Sequence, residues 1–299
     1  MFFSPLPLLP SHQLYQMLPS SPPPSESRYR AIILLLALLP AVALWCQDLY
    51  VDGSSRYAEW GSYNKETTDA FVMLANKAAL ARIPVASLAL AGERAYGLSE
   101  IARYRLAMAL PVSNSVFGIQ GGYAMAGSFR ESLVAINYAR KLAKPVDIGI
   151  QLGYQQSGVA GYPQLAQVSA EAGLMLHPAP MINAGWNIRL PRRLDAGAGA
   201  ASLPFLYSMG IGFDPAGSWS AAIAIEKRPS AGVTGGVGCI YRPVPRIECR
   251  LGIRTGSTPL WFGCGIRFAG FRLDVSATVH ERLGFTPAIA IHRNMARPT

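Results

Sequence analysis

The chain has 299 residues, 51% of them hydrophobic and only 15% charged, with a mean hydropathy of +0.22. After residue 46 no apolar run approaches the roughly 20 residues of a membrane-spanning helix, which excludes a helical-bundle membrane protein. Apolar residues are too plentiful for a disordered chain. The 27 basic and 17 acidic residues leave a net charge of +10, an excess that suits anionic headgroups or an anion-attracting interior as well as nucleic acid.

In chain order, residues 1–27 are rich in proline and serine and unpatterned, so an unstructured N-terminal extension is expected, with Met17 the better start. Residues 28–46 read as a signal peptide. Arg28 and Arg30 form a basic region and Ala31 to Leu44 a short apolar one, broken at Pro40. Cleavage is expected after Cys46. Residues 47–83 form an N-terminal segment, polar and irregular up to residue 67. A short helix is then predicted over Thr68 to Arg82: Thr68 or Asp69 can cap it, Phe71, Leu74 and Ala78 share a face, and Pro84 stops it.

From residue 84 to 293 the pattern alternates with period two. Val146, Ile148, Ile150, Leu152 and Tyr154 oppose Asp147, Gly149, Gln151, Gly153 and Gln155. Fourteen strands are predicted, near 85–91, 101–110, 115–126, 130–140, 145–156, 167–177, 181–190, 203–213, 218–227, 232–242, 246–254, 259–268, 270–280 and 285–293. Residues 294–299 are left as a tail. Most strands are about ten residues long, the length that crosses a bilayer at a tilt, whereas ordinary strands average five or six. The expected fold is all-β: a closed antiparallel transmembrane barrel, with the N-terminal helix plugging or capping the lumen. An even strand count brings both ends of the barrel chain to the periplasmic side.

The alternation places Arg189, Arg250, Arg254, Arg267 and Arg272 on the polar face, because a charge facing mid-bilayer lipid costs about 2–4 kcal/mol. Two readings compete for this basic cluster. It lines a lumen that attracts anions, or it pairs with Glu171, Glu226, Glu248 and Asp274; pairing is favoured. Cys239, Cys249 and Cys264 fall on the apolar face. No C-x-x-C pair exists, so neither a zinc site nor any other cofactor is expected. Asp274, Ser276 and His280 share one face of one strand, but Ser276 and His280 stand about 13 Å apart at the rise of a strand. They form no catalytic triad, and no enzyme is expected. His177 and His292 read as lumen or rim residues. Gly235, Gly236 and Gly238 sit in mid-strand, where they let a plug or a bulky side chain come close.

Ala75 to Ala81 resembles a signature near the N-terminus of the PorV/PorQ-type outer-membrane proteins of Bacteroidetes, relatives of the FadL-like transporters. Asn76, Ala78, Leu80 and Ala81 match it, while Lys77 and Ala79 depart from it. Ile136 to Arg140, Glu226 with Lys227, Arg250 to Arg254 and Leu283 to Pro287 extend the resemblance, which spans roughly residues 68–291. It implies a fourteen-stranded barrel with a helical element in or under the lumen. It also implies an outer-membrane location in a Gram-negative bacterium. Members are channels or carriers for small hydrophobic or amphipathic molecules, or non-transporting scaffolds and type IX secretion-system accessories. The partners so implied are outer-membrane lipid and lipopolysaccharide, with secretion-system proteins or a hydrophobic small molecule, and no nucleic acid.

Overall fold

A computed structural model describes residues 57–194, 205–215, 217–227, 232–256 and 259–295. The expected extension, the signal peptide and residues 296–299 of the tail lie outside them. Fourteen antiparallel strands close into one barrel, each hydrogen-bonded to its sequence neighbours, with the first and last strands completing the ring. They are β1 Ser87–Arg94, β2 Ile101–Val112, β3 Ser115–Ala126, β4 Phe129–Ala143, β5 Val146–Val159, β6 Leu165–Ala179 and β7 Ile182–Arg193. The ring continues with β8 Leu206–Phe213, β9 Trp219–Lys227, β10 Val233–Val244, β11 Ile247–Arg254, β12 Leu260–Phe268, β13 Phe271–His280 and β14 Gly284–Asn294. Closure pairs Ser87 with Asn294. A closed ring leaves no strand edge unpaired.

The alternation in the sequence is the alternation of the wall. Ile136, Ile150 and Leu152 face outward and are 58%, 55% and 60% exposed, while Asp147, Gln151 and Asn137 face inward and are buried. The two rims differ. At the rim holding Ser87 and Asn294, strands are joined through 113–114, 144–145, 180–181, 214–218, 245–246 and 269–270. The links at the other rim run longer: 95–100, 160–164, 194–205, 228–232 and 255–259, with 127–128 and 281–283 the short ones. Outward aromatic residues gather toward both rims, Phe117, Phe213, Trp219, Tyr241 and Phe268 at the first and Tyr104, Tyr123, Tyr154 and Phe285 at the second.

Residues 57–83 pack against the inner wall, and their apolar side chains make most of the buried core. The helix predicted over Thr68 to Arg82 is broken. A single turn spans Val72–Ala75, Asn76 is extended (φ −133°, ψ 122°), and Lys77–Arg82 winds as a 3-10 helix. The cause lies in the wall. Asn76 Nδ2 donates to the carbonyls of Leu174 (3.3 Å) and Trp186 (3.4 Å), while its Oδ1 accepts from the Ala78 amide at 2.9 Å. A continuous helix would sacrifice these bonds, and buried polar groups left unpaired are costly. The stretch expected to be irregular up to residue 67 also corrects: Ala58–Gly61 is a helical turn, and Tyr57, Trp60 and Tyr63 are buried.

Candidate functional site

The interior is a contact between the N-terminal segment and a wall stripped of side chains where the segment touches it. Glycines on the inward face of six strands form three seats. Gly236, Gly238 and Gly252, on β10 and β11, receive the Trp60 indole; a methyl group on Gly238 would come within 2.5 Å of the ring, and one on Gly252 would overlap it. Gly185, Gly210 and Gly212, on β7 and β8, receive Tyr63, and a methyl group on Gly212 would overlap the Tyr63 carbonyl. Gly149 and Gly173, on β5 and β6, receive the backbone at Asn76 to Ala78. Glycine belongs in a strand where another backbone or ring must come this close. Asn76, Ala78, Leu80 and Ala81 are all buried here.

Ion pairs tie the segment down around its length. Glu59 meets Arg254 at 2.7 Å, Asp69 meets Arg272 at 2.7 Å, and Lys77 meets Glu171 at 3.2 Å. Tyr57 donates its hydroxyl to Asp69 at 2.7 Å and lies under the Arg250 guanidinium, 4.1 Å from ring centre to Cζ. Arg82 turns back to donate to the carbonyls of Ser62 and Asn64, bracing the segment against itself. The Lys65 amide donates to Asp214, in the link between β8 and β9, at 2.7 Å. Burial pulls the Lys77 ammonium down to about 8, against the opposing pull of Glu171. Burial pushes Tyr57 up. It would raise Asp69 as well, but Arg272 and His292 hold that carboxyl below its ordinary range.

The structure brings three of the five sequence-derived arginines together. Glu248 accepts from Arg250 (2.6 Å), Arg267 (2.7 Å) and Arg242 (2.9 Å), and Asp274 accepts from Arg250 (2.8 Å) and approaches Arg272 at 3.0 Å. His292 Nε2 lies 3.0 Å from the same carboxylate. The other two stand apart: Arg189 pairs with Glu171 at 2.6 Å, beside Lys77, and Arg254 serves Glu59, with Glu226 at 4.0 Å. His177 bridges Asp147 and Asn183 on the inner wall. Reasoning from sequence missed Tyr57, Glu59, Trp60, Tyr63 and Asp69 as partners of the wall. The spacing of three between Tyr57, Trp60 and Tyr63 was the available signal, since residues three apart share a helix face.

No protein-family model matches the chain, and no curated protein matches it in sequence. Solved structures do match in fold. One is the toluene transporter TodX of Pseudomonas putida, at a TM-score of 0.59 and 9% identity, covering 75% of this chain and 93% of that one. A second is a FadL homologue of Pseudomonas aeruginosa, at 0.55 and 10%, covering 77% and 95%. A third is the monoaromatic hydrocarbon channel CymD, at 0.56 and 11%, covering 76% and 93%. The barrel is therefore similar in fold to FadL-like transporters.

Proposed function

We propose that the protein is an outer-membrane barrel of a Gram-negative bacterium in which residues 57–83 plug the lumen. It acts as a channel or carrier for small hydrophobic or amphipathic molecules that pass when the plug yields. The three glycine seats carry this reading: eight wall positions have given up side chains to one segment of the same chain. The exposed apolar face suits lipid, and the aromatic residues toward both rims suit the two girdles of a membrane barrel. Short periplasmic turns and longer outer loops are the bacterial habit, so on this reading the rim with Ser87 and Asn294 faces the periplasm, and the rim with the longer links meets lipopolysaccharide in the outer leaflet. TodX and CymD, by their names, pass toluene and monoaromatic hydrocarbons. Here the inward face is charged and amide-rich, which favours an amphipathic cargo over a plain hydrocarbon. The basic cluster then serves chiefly as structure, and the role is passage or binding rather than catalysis.

The same ion pairs favour a second reading, a non-transporting scaffold of the PorV/PorQ kind serving a type IX secretion system. Every one of the five arginines has a carboxylate within 4.0 Å. Conductance of the purified barrel in a planar bilayer separates the two. Silence in the intact protein with steady conductance once residues 57–83 are deleted supports the plug under either reading, and uptake of a small amphipathic solute by vesicles holding the intact protein then favours the channel. Silence in both leaves the scaffold. Steady anion-selective conductance in the intact protein would refute the plug.

A further inference from the structure

On the outer wall, Cys249 of β11 and Cys264 of β12 are direct partners in the strand register, and their sulfurs lie 4.0 Å apart. Both thiols are exposed. Residues directly opposite in an antiparallel pair have Cα atoms about 4.5 or 5.5 Å apart, and either spacing falls in the roughly 4.4–6.8 Å range that a disulfide spans. The third outward thiol does not compete. Cys239 faces Leu251 and Ala221, while Cys249 faces Tyr241. That makes Cys239 and Cys249 diagonal neighbours, about 7–8 Å apart. A metal is a poorer use of the pair, because no group of three or more metal-binding side chains occurs among the described residues.

We propose that Cys249 and Cys264 form a cross-strand disulfide, a modification that rests on the outer-membrane reading for its oxidising surroundings. On the outward face only Ile247 separates Cys249 from the 245–246 turn, so the pair sits near the rim assigned to the periplasm, within reach of a water-borne oxidant. The oxidant is a disulfide. One cysteine thiolate attacks it, forming a mixed disulfide and expelling one thiolate. The second cysteine thiolate attacks the mixed disulfide, closing the Cys249–Cys264 bond and expelling the other. The barrel gives up two protons and two electrons, and the oxidant becomes two thiols.

The bond would staple the hairpin whose inner face grips the plug. Glu248 and Arg250, on either side of Cys249, belong to the buried charge network, Gly252 seats Trp60, and Arg254 holds Glu59. Oxidation would fix the register of those four residues from the outside of the wall.

Trypsin separates the three barrel thiols from one another and from Cys46, because Cys249 falls in peptide 247–250, Cys264 in 255–267, Cys239 upstream of Arg246 and Cys46 in 31–56. Intact cells are treated with iodoacetamide, and protein from their outer-membrane fraction is then digested without reductant and analysed by mass spectrometry. The expected result is peptide 247–250 linked to 255–267, with Cys239 alkylated. The linked species should vanish on reduction and persist in a Cys239→Ser variant. Alkylated Cys249 and Cys264 in outer-membrane protein, or a link to Cys239, would overturn the proposal. A parallel arm exposes the refolded full chain in detergent to oxidised glutathione. If the protein fractionates away from the outer membrane, the compartment reading fails, and this arm decides the bond: the same linked pair supports it, and free thiols refute it.

Discussion

Lys77 is the residue where the cost of docking the N-terminal segment is concentrated. Its ammonium is fully buried, donates to the Met73 carbonyl at 2.6 Å, and faces Glu171, with Arg189 bonded to the same carboxylate. Docked, it titrates near 8; released, it returns to about 10.4. Between those values the released segment binds more protons than the docked one. Raising the pH from about 8 to 10 therefore strengthens docking, by up to about 3 kcal/mol over the full interval. Hydrogen exchange of the 72–82 amides, corrected for intrinsic rate, should show protection growing over that window, and Lys77→Met should flatten the trend. A docked segment equally protected at pH 7 and pH 10 would contradict the argument. Gly212 is the opposite kind of residue, valuable for what it lacks. Gly212→Ala sets a methyl group on the Tyr63 carbonyl, an overpacking that costs about 1–3 kcal/mol. Because the wall side of the position is ordinary strand, the expected outcome is an intact barrel with a loosened plug, seen as conductance bursts absent from the parent.

The N-terminal segment is an element without much secondary structure of its own. Two helical turns and a 3-10 stretch are too short to persist alone, so its shape is borrowed from the barrel through seats and ion pairs. Asp69 and Arg272 form a buried pair whose partners are both hydrogen-bonded onward, Asp69 to Tyr57 and Arg272 to Asp274. Asp69→Asn leaves Arg272 with Asp274 as its remaining carboxylate, so the loss should fall below the figure of about 3–5 kcal/mol for a buried pair broken outright. Arg272→Gln in the same chain should recover part of it, which a double-mutant cycle on thermal unfolding measures. Additive losses would mean the two side chains do not depend on each other. The wall elements behave differently. Each strand is held by a neighbour on both sides, as with β4, paired from Phe129 to Lys141 with β5, so loosening the segment should leave strand protection unchanged.

For the whole molecule, closure settles what each face meets. Ile136 lies at the middle of β4, faces outward, and is 58% exposed. In a membrane barrel Ile136→Arg puts a charge near the bilayer midplane, at about 2–4 kcal/mol. Folding into lipid vesicles, followed by urea titration, should register that loss, with a much smaller effect for arginine placed near a rim, at Val112. Equal effects at both depths would argue against a spanning wall. The tall side of the barrel, β4 to β6, spans longer strands than β8, β9, β11 and β12. The cysteine pair lies on the shorter strands β11 and β12, and β11 also supplies Gly252 to the Trp60 seat.

The strand pattern was legible in the sequence because alternation is local: side chains two apart share a face whatever the strand pairs with. That rule was enough for fourteen strands, for the outward cysteines, and for Arg250 and Arg272 turning inward. It also marked Gly238 as a place of close approach, since a glycine in mid-strand has no local purpose. What lay against Gly238 was not legible, because Trp60 is nearly 180 residues away and reaches it only once the ring has closed. The same holds for Asp69 and Arg272, and for Glu59 and Arg254, whose partnership depends on which strands face each other across the lumen. The broken helix has that origin too. Local propensity favours a continuous helix over Thr68 to Arg82, but the carbonyls of Leu174 and Trp186 offer Asn76 bonds that exist only in the assembled barrel. Local spacing determined the wall; the closed tertiary structure alone decided what fills it.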